Sequence, residues 1–193
     1  MNEIRLIIGL GNPGRDYRDT RHNAGFMLAE FLAERWKCPW RTETKFVAEV
    51  AAGQFGSQRV LLAKPQTYMN ASGESVGKLA HYYKTAADRV LVLVDDADLP
   101  LGTLRMRPGG SSGGHHGLES VAEHLGTTDY PRLKLGIARP QQGARDIAGY
   151  VLSRFGSEDM PLWRKVLERG ALQTEMWLQE GAAKAMSLYN GTV

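Results

Sequence analysis

A run of five apolar residues, VLVLV at 90–94, ends in the acidic string DDADLP. A β-strand sends alternate side chains to opposite faces, so this strand is apolar on both and belongs inside a sheet covered on both sides. Further strand-like runs lie at 4–8, 46–50, 60–64, 104–107 and 133–137, each ending near Gly, Pro or Asp. Helical stripes fall between them: Leu28, Phe31, Leu32 and Trp36; Val76, Leu79, Ala80 and Tyr83; Leu118, Val121, Ala122 and Leu125, stopped by Gly126. The segment 158–188 reads as a last helix with Pro161 in its first turn. Strands alternating with helices predict an α/β domain with helices on both faces of the sheet. The hairpin-like pair 46–50 and 60–64 makes the sheet mixed.

The length of 193 residues suits one domain, expected to span 1–193. With 42% hydrophobic and 23% charged residues, most of the chain is not disordered. Cys38 is the single cysteine, which excludes an intramolecular disulfide and a cysteine-based zinc site. The apolar run at the start is too short for a signal peptide, and VLVLV is far below the ~20 residues of a membrane helix. A cytoplasmic protein is expected. A net charge of +3 permits an anionic partner without requiring one.

Several motifs admit bland readings. GLGNPG at 9–14 matches the dinucleotide pattern G-x-G-x-x-G, but RDYRDTR intervenes before the first helical stripe, where a phosphate-binding loop needs a helix to start at once. Asp95, Asp96 and Asp98 resemble a magnesium-dependent phosphoryl-transfer site, yet Leu99 and Pro100 follow where a phosphate-holding hydroxyl is wanted. GGSSG at 109–113 contains G-x-S-x-G in a stretch of small residues that suits a loop better than a nucleophile elbow. His22, His115 and His116 each follow a glycine loop at the start of a helix, and an imidazole beside a strand-end carboxylate forms a general base. Asn70 reads equally as a helix N-cap and Asn12 as a turn residue. Arg105, Arg107 and Lys134 sit on strands, either as solvated faces or as phosphate contacts.

Five strings together resemble the bacterial-type peptidyl-tRNA hydrolases: GLGNPGRDYRDTRHNAG (9–25), KPQTYMNASGESV (64–76), DDADLPLGTLRMRPGGSSGGHHGLES (95–120), LKLGIARP (133–140) and TEMW (174–177). The resemblance implies a monomeric α/β domain with a mixed, twisted sheet. It implies a cytoplasmic enzyme that cleaves the ester between a peptide and the 3′ ribose of tRNA, with peptidyl-tRNA as partner, no membrane, and neither metal nor organic cofactor. It makes His22 the general base and Asp95 the residue that orients it. It gives Asn12 and Asn70 contacts to the peptidyl end and terminal adenosine, and Tyr17 and Tyr68 contacts to tRNA. Arg107 and Lys134 match basic positions that clamp the tRNA 5′ phosphate.

Two positions depart from the family pattern. Val94 precedes Asp95 where the family usually has histidine, and His116 replaces an asparagine that contacts substrate and water. Glu119 stands where a basic residue is common. Two other readings follow: a catalytically impaired relative that binds RNA, and a metal-dependent phosphoryl-transfer enzyme built on the three aspartates.

Overall fold

The computed structural model describes residues 3–140 and 146–193. Its strands are β1 (Ile4–Gly9), β2 (Arg41–Glu43), β3 (Ala48–Phe55), β4 (Gln58–Pro65), β5 (Val90–Asp96), β6 (Thr103–Arg107), β7 (Arg132–Gly136) and β8 (Gly191–Thr192). They form one sheet in the order β2-β3-β4-β1-β5-β7-β6-β8. The four central strands, β4, β1, β5 and β7, are mutually parallel, and antiparallel strands finish both edges. This is the mixed sheet expected.

The helices are α1 (Ala24–Arg35), α2 (Ser72–Tyr83), α3 (His116–Leu125), α4 (Ile147–Val151), α5 (Met160–Glu180) and α6 (Ala182–Tyr189). Two buried clusters, one on each sheet face, account for their placement. In β5, Val90, Val92 and Val94 pack with α2 and α3, while Leu91 and Leu93 pack with α1 and α5. The VLVLV run thus divides its two residue types between the two layers. No described helix is long and apolar enough to cross a membrane.

The differences from the sequence reading have local causes. Val47 adopts a left-handed conformation (φ 51°), which ends a turn holding Phe46 and delays the strand to Ala48. The last helical segment breaks at Gly181 (φ 88°) into α5 and α6. The strands β2 and β8 and the helix α4 have two to five residues, too few to leave a periodic signature.

The glycine fingerprint also has a packing explanation. A Cβ on Gly9 would lie 2.3 Å from the Gly25 carbonyl oxygen, so strand β1 and helix α1 approach closely there. The helix starts only at Ala24, and its first-turn Phe26 N–H donates to the Leu10 carbonyl of this loop, so that donor is spent on the chain itself and not on a phosphate.

Candidate active site

Open α/β sheets place their sites beyond the carboxyl ends of central strands. Here the ends of β1 and β5 lead into a cavity of about 510 Å³. Asn12, His22, Asp95, His115, His116 and Lys134 line it. Asp95 is the last residue but one of β5, and His22 sits in the short turn Arg21–Asn23 that leads into α1.

Asp95 is 4% exposed, and each carboxylate oxygen has an imidazole partner. Oδ2 lies 2.9 Å from His22 Nδ1, and Oδ1 lies 2.8 Å from His115 Nε2. His115 caps α3: its Nδ1 accepts from the backbone N–H groups of Gly117 and Leu118. An Nδ1 that accepts is unprotonated, so the network assigns the ring proton of neutral His115 to Nε2, where it is donated to Asp95. Burial alone would push the Asp95 carboxyl up. The contacts of His115 and then His22 outweigh that and hold it well below the usual carboxylate range. The ionised Asp95 accepts from His22 Nδ1–H, which leaves His22 Nε2 as a lone-pair acceptor.

The three donor sets of His22, Asp95 and His115 lie within 4.8 Å of one another, a spread that suits a small cation. Both Asp95 oxygens, His22 Nδ1 and His115 Nε2 are engaged in hydrogen bonds with one another, and His22 Nε2 is left over.

Asn12 is 8% exposed and ties three loops together. Its Oδ1 accepts from Met69 N–H at 2.8 Å, its N–H donates to Asn23 Oδ1, and its carbonyl accepts from Asn23 Nδ2. That assignment leaves the Asn12 NH₂ without a partner among the described residues, as a donor on the cavity wall. It is far more than a turn residue.

The remaining expected site residues are dispersed. Tyr17, Tyr68, Asn70 and Arg107 do not line this cavity. Asn70 lies in the turn Met69–Ala71, and Ala71 rather than Asn70 holds the N-cap position of α2, with no side-chain capping bond. Tyr68 is 64% exposed beside it. His116 lies at the rim with its Nδ1 3.2 Å from Glu119 Oε2. Val94 is buried among the α2/α3 residues, so its identity is a matter of core packing.

The cross-strand register pairs Arg105 with Lys134 and Arg107 with Arg132. Directly paired residues share a face, so these four cations project from one side of the sheet edge. Lys134 reaches Asp96 at 3.5 Å, whereas Arg107 has no acidic partner among the described residues. Arg132 is 1% exposed. Its guanidinium donates to the carbonyls of Gly110, Ser111 and Thr128 and so staples the glycine loop before α3.

Two contributors stand outside the site residues that the resemblance implies. The sequence offers His115 with His22 and His116 as an imidazole at a helix start, but only the structure shows that it is His115 that caps α3 and meets Asp95. Arg132 reads as a strand residue because carbonyl partners carry no sequence signal.

Comparison with known proteins gives one answer. The family model described as peptidyl-tRNA hydrolase matches residues 6–193. A peptidyl-tRNA hydrolase of Desulfitobacterium hafniense (strain Y51) is 49% identical over 97% of this chain and 100% of its own. The Brevibacillus brevis (strain 47) protein of that name is 45% identical over 97% of this chain and 98% of its own. A crystal structure of peptidyl-tRNA hydrolase from Acinetobacter baumannii superposes with a TM-score of 0.92 at 34% identity, covering 100% of this chain and 97% of the other. With full-length matches in sequence and in fold, the chain belongs to the peptidyl-tRNA hydrolase family.

Proposed function

We propose that His22 is the general base, and Asp95 its orienting partner, with which this peptidyl-tRNA hydrolase cleaves the ester joining a peptide to the 3′ ribose of tRNA. The observation that carries this is the His22–Asp95 contact of 2.9 Å, buttressed from the far side by His115. Neutral His22 takes a proton from water through Nε2 as the oxygen attacks the ester carbonyl. Asp95 stabilises the imidazolium that forms. The Asn12 NH₂, at the cavity wall, donates to the developing oxyanion. Collapse of the tetrahedral intermediate breaks the bond to the ribose 3′ oxygen, which leaves with the proton from His22. General-base assistance of this kind is worth about 10²–10⁴ in rate.

The tRNA side is assigned to exposed and partly exposed residues. His116 at the rim and Asn70 outside the cavity contact the peptidyl end or terminal adenosine, and Tyr17 and Tyr68 contact the tRNA. Arg107 and Lys134 bind the 5′ phosphate from their shared sheet face. The enzyme works as a cytoplasmic monomer, with residues 1–193 as one catalytic unit.

The reading of an impaired, RNA-binding relative loses its support. It rested on Val94 and His116, and neither disturbs the His22–Asp95 pair. Purified protein should release tRNA from an N-blocked aminoacyl-tRNA, and His22→Ala should lose at least 10²-fold in kcat while still binding tRNA. Equal kcat in the two would remove His22 from the chemistry.

A further inference from the structure

Arg21 precedes His22 in the same turn, and its side chain is turned to other work. The helix α4 contributes Ile147, Ala148 and Val151 to the cavity wall, and Leu152 follows. This helix is five residues long and has no buried residue. Five residues are too few for a helix stable on its own, and its packing on the core is limited to the partly buried Tyr150 and Val151. Arg21 adds a polar attachment. Its Nη1 donates to Ser153 Oγ at 2.6 Å and to the Arg154 carbonyl at 2.5 Å, and Nη2 lies 3.6 Å from Asp159. The guanidinium stacks 4.4 Å from the centre of the Tyr150 ring and 5.3 Å from that of Phe155. The Arg21 backbone N–H donates to the Ser153 carbonyl as well. The Tyr150 hydroxyl, in turn, donates to the Ile137 carbonyl at 2.6 Å.

We infer that Arg21 is a positioning residue: it fixes the apolar wall of α4 relative to His22, and so makes the enzyme favour esters whose acyl group carries an apolar side chain. This rests on the reading of His22 as the base of a peptidyl-tRNA hydrolase. The bond from the turn to Ser153 and Arg154 ties wall and base to one rigid segment, so the acyl group bound against the wall is presented to Nε2. A lysine keeps the charge but loses both the planar fork and the ring stacking, and does not substitute.

The test compares wild type, Arg21→Lys and Tyr150→Leu on two probes, N-acetyl-Phe-tRNA and N-acetyl-Gly-tRNA, with amide hydrogen exchange measured on each protein. Each variant is expected to raise KM for the Phe ester about tenfold, the scale of lost apolar pocket contacts, with kcat and the Gly ester little changed. Exchange should quicken about tenfold at 147–154 alone. The double variant should be no worse than the worse single one. Unchanged KM and exchange overturn the inference. So does an equal loss of kcat on both esters, which would place Arg21 in the chemistry at His22, and so does faster exchange spread over the whole fold, which would make Arg21 merely structural. Wild type inactive on both esters would instead sink the hydrolase reading on which the inference rests, a failure distinct from active variants with unchanged KM.

Discussion

One carboxylate serving two imidazoles is the economy of the site at the scale of residues. His115 spends its Nδ1 on the helix cap and its Nε2–H on Asp95, and that leaves Asp95 free to orient His22. Because the folded state holds the Asp95 carboxyl below its unfolded value of about 3.9, Asp95 stabilises the fold above that pH and loses its contribution as pH falls below it. Urea melts of Asp95→Asn should therefore show a weaker loss of stability between pH 5 and 3 than wild type, with a kcat loss of roughly 10²–10⁴ at neutral pH. A wild-type acid limb in the variant would contradict the assignment. His116, by contrast, faces Glu119 at an exposed rim. His116→Asn should leave kcat/KM equal or higher, and a collapse of activity would give this histidine a role of its own. The residue scale was partly legible. The strings around His22 and Asp95 named the pair, but their meeting is a fact of topology, since 73 positions separate them.

At the scale of elements, what presents the site is a set of close approaches. Helices α2 and α3 meet where a Cβ on Gly73 would fall 1.9 Å from the Ser120 carbonyl oxygen, and Gly73 N–H donates to Ser120 Oγ. Gly73→Ala should cost about 1–3 kcal/mol by overpacking. Thermal unfolding would show this as a fall of roughly 2–4 °C per kcal/mol, and an unchanged midpoint would mean the helices part freely. The glycine loop before α3 depends on Arg132. Arg132→Met removes the bonds to the Gly110 and Ser111 carbonyls and leaves Thr128 only its Gly110 N–H partner, so it should loosen this loop, lower stability by about 1 kcal/mol and raise KM. The long periodic helices and the apolar strands could be read directly, because burial on a fixed face repeats every two or three to four residues. The short strands, α4 and the break at Gly181 could not, because backbone conformation and tertiary contacts set them.

For the whole molecule, a net charge of +3 is too small to attract RNA by itself, so in the proposed function that duty falls to Arg105, Arg107 and Lys134, which share one face of the β6–β7 pair while Arg132 beside them is buried. Arg107→Ala should raise KM and lower the slope of log binding against log salt by about 1, as expected for one lost phosphate contact. An unaltered slope would remove Arg107 from the clamp. The architecture was legible from the apolar strand and its acidic end, which predict a covered sheet with a site at the strand terminus. The measurement that bears most directly on the whole account is single-turnover hydrolysis of an N-blocked aminoacyl-tRNA by wild type and His22→Ala, with tRNA binding followed in parallel. The expected result is rapid release of tRNA by wild type and a loss of at least about 10²-fold in the variant with binding retained. Equal rates in the two proteins, or wild type that binds tRNA without cleaving the ester, would contradict it.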